Sequence, residues 1–137
     1  MMTGVQAYRA VSVQTMDRGR LLLAMYEGGL GFLRQAVVAH EQGDLETFSR
    51  TLRRGQDIIS ELMASLNREP APELVTMLEG VYDFMLFELS EANLMREAQR
   101  VQQVIRLLAR IYDAYRQVIT NPSADVQAIL AGLPGAR

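Results

Sequence analysis

The sequence predicts an all-α protein folded as an antiparallel, up-down-up-down four-helix bundle. Its 137 residues are the size of one domain with a single core. Two long stretches without proline, residues 1–69 and 73–121, are rich in Leu, Ala, Glu, Gln, Arg and Met, which favour helix. Within them apolar residues recur at spacings of three and four, and short turns join the segments. The prolines are Pro70, Pro72, Pro122 and Pro134.

The first two helices are predicted from their caps. The first is expected from about Asp17, its N-cap, to Glu41. Gly43 suits the left-handed residue that ends a helix. Asp44 is the predicted N-cap of a second helix that ends near Leu66. In the first helix, the run Gly28-Gly29-x-Gly31 favours close helix packing over a shallow groove.

The last two helices are placed by proline and by apolar spacing. Pro72 suits a first helical turn and predicts a third helix to about Arg96. A fourth helix is expected from about Ala98 to Thr120. Ser123 is the predicted cap of a short helix over 123–131.

One domain with two flanking segments follows. Residues 1–16 form an N-terminal arm, residues 17–121 the bundle and residues 122–137 a C-terminal tail. Charge is divided between the last two helices: one Arg against six acids gives −5 over residues 70–97, and five Arg against two Asp give +3 over 98–137. We therefore expect these helices to attract each other as antiparallel neighbours.

Composition excludes most chemistry. There is no Cys, so thiolate catalysis, disulfides and zinc ribbons are excluded, and without Lys there is no P-loop. The net charge of −2 argues against a nucleic-acid binder. No secretion signal or uncharged apolar run of membrane-spanning length is visible, which predicts a cytoplasmic protein without membrane insertion. No cofactor, metal or catalytic site is expected.

The helices carry more apolar residues than one core stripe requires, and the surplus includes Leu21, Phe84, Phe87 and Leu94. A contiguous exposed apolar patch is typical of a partner-binding surface. The pattern thus predicts a bundle that binds amphipathic helical or extended segments of another protein. Two alternatives stay open: a phosphotransfer signalling bundle using His40, and a structural protein that self-associates into a homo-oligomer.

Several sequence blocks are specific. Residues 55–62 (GQDIISEL) are followed by Ser65-Leu66-Asn67, and residues 81–84 (VYDF) by 89–94 (LSEANL). Ahead of them stand Ala7-Tyr8 and residues 22–28 (LLAMYEG). In this order and at these separations the blocks resemble the flagellar secretion chaperone family FliS, over roughly residues 5–119.

This resemblance implies an antiparallel helical bundle without enzymatic activity. It implies a chaperone that binds the disordered C-terminal region of flagellin, prevents premature polymerisation and delivers flagellin to the flagellar type III export gate. The arm and the shared blocks would supply the contacts, with Ile58, Phe87 and Leu94 as side positions. The expected partner-binding residues are Val5, Tyr8, Tyr26, Gln56, Ile58, Ile59, Leu62, Phe87, Asn93 and Leu94.

Overall fold

The fold is that of a computed structural model, which describes residues 4–120, with side chains from residue 18 onward. Four α-helices make up this part of the chain, and it contains no strand. They are α1 (Gly4–Glu41), α2 (Leu45–Ala64), α3 (Pro72–Met95) and α4 (Ala98–Thr120). The predicted short helix over 123–131 and the tail 122–137 lie outside the described residues.

Helix α1 begins earlier than predicted. Its backbone is helical from Gly4, so the prediction of Asp17 as an N-cap is wrong: Asp17 lies inside the helix. The physical reason is that no proline separates Gly4 from Asp17, and Ala, Gln, Arg and Met there all favour helix. The division into an arm at residues 1–16 and a bundle stays a prediction.

The turn between α1 and α2 has the predicted caps. Gly43 has φ +73° and its N–H donates to the His40 carbonyl oxygen at 3.1 Å. Asp44 Oδ1 accepts from the Thr47 N–H at 3.1 Å and caps α2. Because these bonds satisfy the free backbone groups of both helix ends, the chain reverses within three residues.

The turn between α3 and α4 is shorter and carries some strain. Pro72 opens α3 as predicted, and α4 has the predicted bounds. Arg96 ends α3 in the left-handed region, with φ 56° and ψ 49°, a conformation that glycine adopts more readily. The Glu97 N–H donates to the Ala92 carbonyl oxygen at 3.0 Å. This turn places α3 and α4 side by side and antiparallel.

The helices pack in a ring. Helix α1 packs against α2 and α4, and α3 packs against the same two. This confirms the up-down-up-down bundle. A Cβ placed on Gly19 would lie 3.1 Å from Ile119 Cγ2, so the bundle's entry and exit are adjacent. The core is made by fully buried side chains from all four helices, including Tyr26, Leu33, Phe48, Leu52, Ile59, Leu62, Leu78, Tyr82, Met85, Leu89, Leu108 and Ile111.

Glycines bring α1 and α2 close together. A Cβ on Gly29 would lie 3.2 Å from Ile58 Cγ2, and one on Gly55 would lie 2.6 Å from Leu33 Cδ2. The predicted close packing is therefore present at Gly28 and Gly29. Gly31 differs, because nothing lies within 4 Å of its Cβ position.

Among the described residues, one stretch is long and apolar enough by composition to cross a membrane: Arg18–Glu41, with a mean hydropathy of 1.2. Core helices pass the same test, and α1 here buries Tyr26, Leu33 and Ala36 fully inside the bundle.

Candidate partner-binding surface

Most of the exposed large apolar side chains among residues 18–120 lie on α3, and Leu21 and Val38 are exposed on α1. Phe87 is 58% exposed and Leu94 76% exposed, and Phe84 is 52% exposed. Their separations of three and seven residues place all three on one face of the helix. Such large apolar side chains in water, grouped along one helix face, form the kind of patch that a partner covers.

Next to this line, an open apolar groove of about 720 Å³ lies along α3 beside α4, and we call it the α3–α4 groove. Its α3 wall includes Met77, Val81 and Phe84, and α4 contributes Leu107. Gly80 widens it, since nothing lies within 4 Å of its Cβ position. The groove is continuous with the exposed face through Phe84, which belongs to both. Its far end is lined by Glu73 and Thr76.

Polar residues border the exposed face on the α2 side. Gln56 Nε2 donates to Ser90 Oγ at 3.0 Å, which ties α2 to α3. Asn93 is half-buried beside Leu94. Because Gln56 keeps an amide oxygen that this bond does not use, the pair can still accept a hydrogen bond from a segment lying along α3.

Ion pairs fix α3 to α4 at the other side. Arg100 Nη1 donates to both oxygens of the largely buried Glu88 carboxylate, at 3.1 and 3.2 Å. Arg100 Nε donates to Glu97 Oε2 at 3.1 Å. The Glu97 and Glu88 carboxylates together raise the pKa of Arg100. The pair of Glu88 on α3 and Arg100 on α4 is an example of the attraction predicted between the acidic and the basic helix.

Ile58 is not on the α3 surface. It is half-buried between α2 and α1, with its side chain over Gly28 and Gly29. The structure therefore does not bring Ile58 together with Phe87 and Leu94, although the sequence grouped the three.

Three expected site residues lie in the core. Tyr26 and Ile59 are fully buried and Leu62 is 1% exposed, so they offer no surface to a partner in this structure. The Tyr26 and Tyr82 hydroxyls hydrogen-bond to each other across the bundle. Burial, with Tyr82 and Tyr115 close by, raises the pKa of Tyr26 far above its ordinary value. We assign Tyr26, Ile59 and Leu62 to the stability of the fold.

The other two expected residues, Val5 and Tyr8, lie in the helical backbone of α1, and their side chains are outside the described residues. Their contacts stay a prediction.

Comparison with known proteins decides the family. The model of the family described as "Flagellar protein FliS" matches residues 1–122. The chain belongs to the FliS family. A flagellar secretion chaperone FliS of Salmonella typhimurium is 32% identical over 91% of this chain and 95% of its own length. The Bacillus subtilis protein of that name is 34% identical over 87% and 88%, and that of Vibrio cholerae 27% over 86% and 90%.

In this FliS-family chain His40 has a structural environment. Its Nε2–H donates to the Arg96 carbonyl oxygen at 2.8 Å, and its ring lies 5.2 Å from that of Phe48. It thus joins the ends of α1 and α3 and the start of α2. The nitrogen that a phosphotransfer bundle would present to its partner is occupied by a backbone carbonyl here.

The α3–α4 groove was missed by sequence reasoning. Phe84 belongs to the apolar surplus, but Met77 and Val81 stand at the spacings of three and four that are typical of residues facing the core. Their half-exposure depends on how α3 is rotated against α4. One signal was available: Gly80, inside a helix and without a turn to form, marks a place where space is left open.

Proposed function

We propose that this chain is a flagellar export chaperone that binds the C-terminal region of flagellin in the cytoplasm, prevents its premature polymerisation and delivers it to the flagellar export apparatus. The observation that carries the proposal is the exposed apolar face of α3 on a member of the FliS family. The relatives' name, flagellar secretion chaperone, supports the class of function. No enzymatic step is part of the proposal.

The α3 face fits a disordered client. Phe84, Phe87 and Leu94 span ten residues of helix, or about 15 Å at 1.5 Å per residue. A segment that folds on binding can place apolar side chains at spacings of three and four against this line. Such a client buries a large surface at moderate affinity, because ordering the segment costs conformational entropy. Moderate affinity suits a protein that must later be released.

Truncation of the client tests the proposal. Flagellin encoded in the same genome is mixed with the full chain, and the complex is followed by size-exclusion chromatography and isothermal titration calorimetry. Full-length flagellin is expected to co-elute, and flagellin without its C-terminal segment is expected to elute alone. No binding to any flagellin, together with a stable homo-oligomer of this chain, would refute the proposal and favour the self-association alternative.

Matched substitutions test the surface. Phe87→Ser and Leu94→Ser remove exposed apolar side chains from α3, and each is expected to weaken flagellin binding about tenfold or more. Val38→Ser is the control, since Val38 is also exposed but lies on α1. Equal affinity of all three variants would contradict the assignment of the contact to α3. Circular dichroism checks that each variant is folded.

A further inference from the structure

Helix α3 is apolar on two opposite sides. Its core side buries Val75, Leu78, Met85 and Leu89, and its outer side exposes Phe84, Phe87, Leu94 and Met95. A helix with one apolar side turns that side inwards, so its own sequence sets its rotation in the bundle. Because α3 has two such sides, apolar burial alone does not determine which side faces the core and which faces a partner.

The two stripes that separate these sides differ in polarity. The stripe towards α2 is mostly polar and consists of Glu79, Asp83, Leu86 and Ser90. The stripe towards α4 borders the α3–α4 groove and consists of Met77, Val81, Phe84, Glu88 and Met95. Turning the α2 stripe into the core would bury acidic side chains. Turning the α4 stripe inwards would bury apolar ones, with a single exception.

That exception is Glu88, one turn of helix after Phe84. Its largely buried carboxylate accepts hydrogen bonds from Arg100 Nη1 on α4, at 3.1 and 3.2 Å. Arg100 Nε also donates to Glu97 Oε2 at 3.1 Å, which holds the guanidinium at the α3–α4 turn. If α3 turned its α4 stripe inwards, Glu88 would leave Arg100 and become a buried charge without a partner, which is strongly unfavourable.

We propose that Glu88 is a positioning residue: its ion pair with Arg100 sets the rotation of α3 and thereby keeps the line of Phe84, Phe87 and Leu94 on the outside of the bundle. The pair contributes specificity more than net stability, since replacing a buried ion pair by apolar side chains is often neutral for stability. Its importance for a client rests on the proposed function, whereas its effect on α3 does not.

Thiol labelling measures the rotation of α3, because the full chain has no Cys and introduced thiols have no background. Met77→Cys reports on the α4 stripe and Leu86→Cys on the α2 stripe, and both residues are half-buried. Each is placed in the original chain and in the double variant Glu88→Met/Arg100→Met, and its rate of reaction with a maleimide is measured. Val38→Cys, exposed on α1, is the control position, whose rate should not change.

The two rates are expected to change in opposite directions in the double variant. If the rotated form increases from about 10% of the molecules to about half, labelling rises about fivefold at Leu86→Cys and falls by about half at Met77→Cys. A loss of stability alone would raise both rates. Increases at both positions, or two unchanged rates, would therefore overturn the proposal.

Two further variants control for charge and for folding. Glu88→Gln keeps a polar side chain that can accept from Arg100, so it is expected to label like the original protein. Urea denaturation checks that the double variant is folded and about as stable as the original. If it does not fold, Glu88→Met alone carries the same expectation, because Arg100 keeps its bond to Glu97.

Flagellin binding is a separate measurement on the same variants. With about half of the molecules in the rotated form, the double variant is expected to bind flagellin about twofold more weakly. Weaker binding with unchanged labelling would overturn the positioning role of Glu88 and leave the proposed function standing. Opposite changes in labelling, with no flagellin binding even by the original protein, would refute the proposed function and leave the positioning role standing.

Discussion

Replacing Gly55 by alanine is expected to destabilise the bundle, whereas replacing Gly31 by alanine is expected to stabilise it. A Cβ on Gly55 would lie 2.6 Å from Leu33 Cδ2 and 3.0 Å from Leu33 Cγ. Leu33 is fully buried, so it can move only by displacing other core side chains. At Gly31 nothing lies within 4 Å of the Cβ position. The two substitutions are chemically identical and differ only in the space available.

The magnitudes follow from two opposing effects. Replacing a helical Gly by Ala stabilises by about 1 kcal/mol, mainly because the unfolded chain loses freedom. Overpacking a core costs about 1–3 kcal/mol. Gly31→Ala is therefore expected to gain about 1 kcal/mol, and Gly55→Ala to lose about 1 kcal/mol net. For a domain of this size the two melting temperatures should differ by about 8 °C.

Urea denaturation followed by circular dichroism measures the free energy of unfolding of both variants. Equal m-values would show that both expose the same surface on unfolding, so that their free energies can be compared. A double-mutant cycle with Leu33→Ala isolates the clash, because Leu33→Ala should cost less when residue 55 is already Ala. The reasoning is refuted if Gly55→Ala proves as stable as Gly31→Ala, or if the cycle shows no coupling between residues 33 and 55.

Three further predictions concern the α3–α4 turn and the buried tyrosines. Arg96→Gly should raise the free energy of unfolding by up to about 1 kcal/mol in urea titration, since glycine adopts the left-handed conformation without strain; a decrease would show that the Arg96 side chain matters more than its backbone. Tyr26→Phe leaves the buried Tyr82 hydroxyl without its partner and should cost about 1–3 kcal/mol. The double variant Tyr26→Phe/Tyr82→Phe should have a free energy of unfolding closer to that of the original protein. An equal loss of stability in the single and the double variant would contradict this. Burial raises the pKa of Tyr26 and Tyr82 in the folded state, so only the unfolded chain releases these protons near its ordinary pKa of about 10. The free energy of unfolding is therefore expected to be unchanged below pH 10 and to fall as the pH rises above it. Thermal melts from pH 8 to 11 measure this fall, and a melting temperature that does not change over that range would contradict it.

The helix ends that have a capping residue, a glycine or a proline at the required position could be predicted from the sequence. Gly43 and Asp44 supply the left-handed residue and the side-chain acceptor that their positions require, and Pro72 opens a helix where its missing N–H costs nothing. The start of α1 could not be placed, because Asp17 is a good N-cap residue but the stretch before it has no proline and can also form helix. The end of α3 carries no glycine, so its geometry at Arg96 had no local signal.

The candidate site was harder to predict, because it depends on helix rotation. Phe87 and Leu94 were expected to be exposed and are exposed. Ile58 was grouped with them, yet it faces α1, where Gly28 and Gly29 leave room for it. Tyr26 belongs to a shared sequence block, and the structure shows that the block there serves the core. Spacing along one helix places residues on a common face but does not tell which neighbour covers that face.

The adjacency of Gly19 and Ile119 gives the bundle the topology of a closed loop. Each helix contacts its two neighbours in the ring, and among residues 4–120 the α1–α4 contact is the only one between helices distant in sequence. A circular permutant that links Thr120 to Arg18 and opens the chain between Gly43 and Asp44 lacks the first fourteen residues of α1, but it is expected to keep all four helix pairs of the ring and to make α1–α4 a local one. Only α1–α2 would become long-range, and those two helices have the glycine-mediated close packing to compensate. We therefore expect the order of the helices around the ring, and not their order along the chain, to define the fold.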